Sequence, residues 1–415
     1  MDEFVIDGGR RLRGTYQVNG SKNSALPILI ATLLTDEDCV LDNVPALRDI
    51  RTTFRLLETL GKKVEVSGKR VKVTYGKALV THAPYDIVKQ MRASILVAGP
   101  LLARFGKVRV SLPGGCAIGL RPVDIHVKGL EAMGAAASTK EGDVYLTGAL
   151  EPSKVRFRFP SVGATENVMM AAAAVEGETV IENAAREPEI EDLGHFLTSL
   201  GARVTGAGTS RVVVRGAERL KGAHHRVIAD RIESGTLLVA VAAAGGDVTL
   251  KGAVPSHLTA LIKALRRAGA KVSEVKGGLR VRAAGRPKAV NVVTEPHPGF
   301  PTDVQAPWMA YMTLAKGVSR VKEAIFERRF LHAAELARMG ARIEAHSESA
   351  VVTGVPELSG AAIMASDIRA GAGLVVAALA AKGRTVIQRV YHIDRGYERL
   401  ELVLRGLGAR MRRLR

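Results

Sequence analysis

The 415-residue chain has only two cysteines, Cys39 and Cys116, one tryptophan, and 4% aromatic residues. Two cysteines exclude a disulfide framework, and neither has the spacing of a metal-binding pair. Of the scattered histidines only His224 and His225 are adjacent. Neighbouring side chains chelate one ion poorly from a single helix face, so no metal is expected. Scarce aromatics leave few platforms for stacking single-stranded nucleic acid. No apolar run approaches the roughly 20 residues of a membrane span, and the Ala- and Val-rich stretch at 237–246 is too short. The opening MDEFVIDGG is acidic and lacks the basic and apolar parts of a secretory leader. The expectation is a cytoplasmic protein with no cofactor and no membrane contact.

Charge is abundant and one-sided. Sixty Lys and Arg against 41 Asp and Glu give a formal net charge of +19. Such a balance suits a polyanionic partner. The basic residues are nevertheless spread along the whole chain, with local density only at Arg410, Arg412, Arg413 and Arg415. The total therefore reads as a solvated basic surface, with selected arginines serving a small-anion site and nucleic acid not expected as a partner. Length suggests about two domains.

The chain repeats itself six times. The runs LLETLGKKVEV, GLEAMGAAAST, FLTSLGARVTG, ALRRAGAKVSE, ELARMGARIEA and VLRGLGARMRR each join a helical pattern through a glycine to an alternating strand pattern. Their glycines, Gly61, Gly134, Gly201, Gly269, Gly340 and Gly408, recur about every 70 residues. Glycine there fits a left-handed helix cap. A β-rich run precedes each unit and an Ala/Leu/Val-rich second helix follows, giving a βαβα module with an extra strand. The second helices open on polar clusters marked by Lys22, Arg92, Gly163, Arg231, Asp303 and Arg369, spaced by the same period. Helix N-termini favour anions, so these clusters are expected to share one cleft. The sixth unit reaches Arg415 before its strands are complete, and the N-terminal segment supplies what is missing. The expected domains are 22–229, and 1–21 with 230–415, with the active site between them.

One unit departs from the rest. Ser111 to Gly134 spans about 24 residues where the other units need 19–21, and the excess falls in L-P-G-G-C-A-I-G-L-R-P-V-D. Glycine-bearing loops on a rigid scaffold are common sites of chemistry. Cys116 lies in its middle with Arg121 nearby, and a cation lowers a thiol pKa. Cys39, alternating on a strand, reads as a small buried apolar residue.

S-K-N-S-A-L-P-I, P-G-G-C-A-I-G-L-R-P-V-D, S-V-G-A-T-E-N, N-A-A-R-E-P-E-I, F-P-T-D-V-Q-A and Y-H-I-D-R-G-Y-E-R together resemble the enolpyruvyl transferases over essentially the whole chain. The resemblance implies an α/β (α+β) fold, a two-domain inside-out α/β barrel of six βαβαββ repeats, three per domain. It also implies transfer of the enolpyruvyl group of phosphoenolpyruvate to the 3-hydroxyl of UDP-N-acetylglucosamine, an early step of peptidoglycan synthesis. Cys116 then resembles the general acid and Asp303 the acceptor of the hydroxyl proton, a carboxylate also suited to capping its helix. Lys22, Arg121 and Arg395 resemble a phosphate clamp. Arg92, Arg369 and Arg395 would hold the carboxylate and its surroundings, Asn23 the sugar, and Ile325 the bound substrate. Arg121, Pro122, Val123, Asp124, Ser161, Val162 and Gly163 fall where the family binds the uridine diphosphate. Two departures stand out: F-E-R-R-F puts Arg328 where relatives have asparagine, and Phe159-Pro160 stand where some have a lysine. The shikimate-pathway enolpyruvyl transferases share the fold and chemistry but lack the cysteine loop. A basic nucleic-acid scaffold would explain the charge but not the aligned polar clusters.

Overall fold

A computed structural model describes residues 2–112 and 123–415 of the chain. The six marker glycines all adopt positive φ, from 91° at Gly340 to 116° at Gly201. A Cβ is disfavoured in that region, which is why glycine recurs while its neighbours vary. At each of these points the chain leaves a helix and enters a strand, as where Arg48–Leu60 gives way to Lys62–Ser67.

The described strands form six four-stranded sheets on one plan. In the sheet of Lys154–Arg156, Gly177–Glu182, Arg211–Gly216 and Arg203–Thr205, the first two strands are parallel and the other pairings antiparallel. A parallel pair needs a crossover, supplied here by the helix Val162–Ala173. The helix Pro188–Leu200 and a hairpin complete the βαβαββ repeat.

The chain divides into two compact units, 2–19 with 229–415 and 20–112 with 123–228. Each holds three sheets and its own hydrophobic core. Two sheets borrow their first strand. His224–Arg226 lies parallel to Cys39–Asp42, and Leu12–Gln17 lies parallel to Gly246–Lys251. In the other repeats that strand leads into the helix of its own crossover. Here the chain leaves His224–Arg226 for the helix Arg231–Ala244, and leaves Leu12–Gln17 for the helix Lys22–Ala31. The strand-to-helix links are thus exchanged where the chain passes between units. The sixth sheet is completed by the N-terminus, since Glu3–Asp7 pairs antiparallel with both Arg384–Gln388 and Arg410–Leu414.

Two kinds of helix build each unit. Outer helices are amphipathic: Arg48–Leu60 buries Ile50, Thr53, Leu57 and Leu60 and exposes Arg51, Arg55 and Glu58. Inner helices are buried on every side, as in Arg231–Ala244, where Ile232, Leu237, Leu238, Val239 and Val241 are all covered. Inner helices also pack closely: a Cβ on Gly373 would lie 2.8 Å from the backbone of Ala306. This packing fixes the helix N-termini on which the polar clusters sit. Among the described residues no helix is long and apolar enough to cross a membrane.

Candidate active site

Every marker residue lies at a helix N-terminus. Lys22 and Arg231 open their helices, Arg92 opens the 3-10 turn Arg92–Val97, and Gly163 and Arg369 stand second in theirs. Asp303 lies in the 3-10 turn Thr302–Val304 that leads into Gln305–Met312. Side chains cap four of these ends. Ser21 Oγ accepts from Ser24 N at 3.3 Å, and Ser161 Oγ from Ala164 N at 3.4 Å. Asp230 Oδ1 accepts from Ile232 N and Glu233 N at 2.7 and 3.0 Å. Asp367 Oδ1 accepts from Arg369 N and Ala370 N at 2.9 and 3.0 Å.

In the unit 20–228, Lys22 is buried with its Nζ 3.4 Å from Asp49 Oδ2, and Asn23 beside it is partly exposed. Asp192 pins the foot of this helix. It accepts from Ser24 Oγ and from Ile228 N at 3.2 Å, and lies 2.9 Å from His225 Nε2. Val123, Asp124, Ser161, Val162 and Gly163 are partly exposed, as is Arg92. Arg158 reaches Asp124 Oδ2 at 2.6 Å. Cys116, Arg121 and Pro122 lie outside the described residues.

In the other unit, Asp303 Oδ1 accepts from Arg329 Nη2 at 3.0 Å and from Arg369 Nε at 2.9 Å. Burial pushes Asp303 upward, but the Arg369 and Arg329 charges outweigh it and hold the carboxyl well below its usual range. Arg369 is itself buried, which works against its charge, and Asp303 more than compensates. Its Nη1 donates to Tyr397 Oη at 3.2 Å, and Tyr397 is paired with Thr236 Oγ1 at 2.8 Å. Glu323 joins the Asp303 turn to Ile325: its carboxylate accepts from Thr302 Oγ1 at 2.9 Å and from Ile325 N at 3.0 Å. Arg395 ends the 3-10 turn Val390–Arg395, two residues before Tyr397.

Glu233 anchors the chain where it leaves this unit. It accepts from Asn19 N at 2.8 Å, Asn19 Nδ2 at 2.9 Å and Tyr16 Oη at 3.0 Å. The two crossing strands meet there, as Asp230 N donates to Asn19 O at 2.8 Å. Burial first, then the Asp230 charge, push Glu233 up to about 7 from 4.5. The folded chain therefore holds this proton more tightly than the unfolded chain. The resulting stability is complete below about pH 4.5 and is lost as pH rises through about 7. The difference is on the order of 3 kcal/mol. Glu233→Gln should flatten the fall in urea midpoint across that window; an unchanged slope would assign it to other groups.

Three features differ from the sequence reading or escape it. Asp303 does not cap its helix; its turn has no side-chain cap bond, and both arginines claim the carboxylate instead. In F-E-R-R-F the departure at Arg328 is exposed, while Arg329 is buried on Asp303. Asp49 and Asp192 lie outside every motif, and Glu233, in the cluster at Arg231, and Tyr397, within Y-H-I-D-R-G-Y-E-R, are given no role by the sequence. The expected domain boundaries after residues 21 and 229 are a signal that points toward Glu233.

The family model of EPSP synthase (3-phosphoshikimate 1-carboxyvinyltransferase) matches residues 6–404. A UDP-N-acetylglucosamine 1-carboxyvinyltransferase of Elusimicrobium minutum (strain Pei191) is 54% identical over 414 residues, covering 99% of this chain and 98% of the relative. One from Anaeromyxobacter sp. (strain Fw109-5) is 53% identical over 419 residues, covering 100% and 99%. Among solved structures, the enolpyruvyl transferase NikO from Streptomyces tendae superposes with a TM-score of 0.88 at 25% identity, covering 99% and 98%. EPSP synthase from Acinetobacter baumannii shares the fold, with a TM-score of 0.77 at 18% identity and full coverage of both chains. Matched from end to end in sequence and in fold, the chain belongs to the enolpyruvyl transferases, within the UDP-N-acetylglucosamine 1-carboxyvinyltransferase family.

Proposed function

We propose that the chain transfers the enolpyruvyl group of phosphoenolpyruvate to the 3-hydroxyl of UDP-N-acetylglucosamine and releases phosphate, the first committed step of peptidoglycan precursor synthesis. The observation that carries this reading is 54% identity across 99% of the chain to a relative of that name. Both substrates are polyanions, and the chemistry needs cations, a proton acceptor and a proton donor.

In the addition step the 3-hydroxyl oxygen bonds to C2 of phosphoenolpyruvate. Asp303 accepts the hydroxyl proton and Cys116 gives its thiol proton to the C3 methylene. In the elimination step C3 gives a proton to the thiolate left at Cys116, the C2–O bond to phosphate breaks, the double bond returns, and the proton held by Asp303 leaves with the phosphate. Lys22, Arg121 and Arg395 hold the phosphate. Arg92, Arg369 and Arg395 hold the carboxylate and its surroundings. Asn23 contacts the sugar and Ile325 the bound substrate. The uridine diphosphate lies on 121–124 and 161–163.

The cluster at Asp303 supports this division. One carboxylate facing two guanidiniums leaves a net positive charge for an anionic substrate. A carboxyl held so low is a weak base. If Arg369 turns to the substrate carboxylate, Asp303 is released from one cation and its basicity rises as the acceptor hydroxyl loses its proton. The test is phosphate release from phosphoenolpyruvate with and without UDP-N-acetylglucosamine, with shikimate 3-phosphate in parallel. Release that requires the sugar nucleotide is expected. Release with shikimate 3-phosphate instead would overturn the reading.

A further inference from the structure

Glu323 is 2% exposed and directly follows the strand Val318–Lys322. Its two carboxylate oxygens reach different segments. Oε1 accepts from Thr294 Oγ1 at 2.8 Å, Ile325 N at 3.0 Å and Phe326 N at 3.2 Å. Oε2 accepts from Thr302 Oγ1 at 2.9 Å. Thr294 Oγ1 itself accepts from Ala324 N at 3.0 Å, which leaves its hydroxyl proton for Glu323. A carboxylate offers about four acceptor sites, so the group is fully engaged. Both of its arms lead to Asp303. Thr302 is the chain neighbour of Asp303 in the turn Thr302–Val304, and no side chain caps that turn. On the other arm the Arg329 guanidinium lies over the Phe326 ring, 5.2 Å from its centroid, and Arg329 Nη2 donates to Asp303 Oδ1 at 3.0 Å. The links close a circuit from Glu323 through Thr302, Asp303, Arg329 and Phe326 back to Glu323.

We propose that Glu323 is a positioning residue for proton transfer, setting the place of the Asp303 carboxylate through Thr302 and the place of its Arg329 partner through Phe326. The proposal rests on the reading of Asp303 as the proton acceptor. Glu323 acts through these neighbours and not on the reacting atoms.

Glu323→Ala removes four hydrogen bonds at once and tests folding as much as catalysis. Thr302→Val is the milder variant: it keeps a branched side chain and removes one hydroxyl. Misplacing a reacting group by about 1 Å costs up to about 100-fold in rate. Thr302→Val should therefore lower kcat by about 10- to 100-fold, leave KM for phosphoenolpyruvate little changed, and be largely reversed in Thr302→Ser, which restores the hydroxyl. Glu323→Ala should lose at least as much, and Glu323→Gln should recover part of it, since one carbonyl oxygen can take the three donors at Oε1. In an Asp303→Asn background Thr302→Val should add little, because the group it positions is already gone. A lowered thermal midpoint with unchanged kcat in Thr302→Val would make the role structural and overturn the proposal. A full further loss in the Asp303→Asn background would overturn it as well. Failure of the acceptor assignment reads separately, as turnover retained by Asp303→Asn alone.

Discussion

Asp303→Asn should lower turnover by about 10²- to 10⁴-fold, the usual contribution of a positioned proton acceptor, and should destabilise its unit as well. The amide preserves shape but leaves the buried Arg329 and Arg369 guanidiniums without the carboxylate they share. Breaking a buried ion pair costs about 3–5 kcal/mol. The lower end is expected here, because the Asp303 side chain keeps 28% exposure. The pH dependence follows from the depressed pKa. The pairing contributes fully above the unfolded value of 3.8 and is lost as pH falls through the lower folded value. The wild-type thermal midpoint should therefore fall in strong acid more steeply than that of the variant. Rates and midpoints measured together divide the two roles. Turnover within threefold of wild type would remove Asp303 from proton transfer, and an unshifted midpoint would show that the arginines do not depend on it.

Cys116→Ser should be the other large loss, about 10²-fold or more in turnover, because a hydroxyl is a far weaker acid than a thiol. Cys116→Asp should recover part of it, since a carboxylic acid can also protonate carbon. Cys39 provides the internal control. It is fully buried on the strand Cys39–Asp42, and burial pushes its thiol pKa up. Cys39→Ala should cost about 1–2 kcal/mol of stability through a small cavity and leave turnover near wild type. An alkylating reagent applied to the folded protein should add once, at Cys116, and abolish activity in step with labelling. Full activity in Cys116→Ser, or labelling at Cys39 accompanied by inactivation, would move the chemistry away from the loop.

What the sequence disclosed and what it hid divide along physical lines. The six glycines were legible because each sits at positive φ, where other residues are disfavoured. The marker residues were legible because helix N-termini recur at the same point of each repeat. Pairings across repeats left no such trace. Arg328 and Arg329 are neighbours of one type, and only packing decides which turns inward to Asp303. Glu233 looks like an ordinary helix residue until Asn19 and Tyr16 are brought to it from more than 200 positions away.

The exchanged strands have a consequence for how the protein is made. Once Arg226 has left the ribosome, the unit 20–228 has its whole complement of strands. The other unit is in a different position. Leu12–Gln17 waits for Gly246–Lys251, and Glu3–Asp7 waits for Arg410–Leu414 at the far end of the chain. At about 5–20 residues per second, the first strand stays unpaired for roughly 20–80 s. Its core side chains, Phe4, Val5 and Ile6, are apolar and end fully covered. During synthesis this short segment is an open sheet edge in search of a partner, so a chaperone that shields nascent N-termini should raise the yield of folded protein, and truncation of the last strand should leave Glu3–Asp7 without one of its two neighbours.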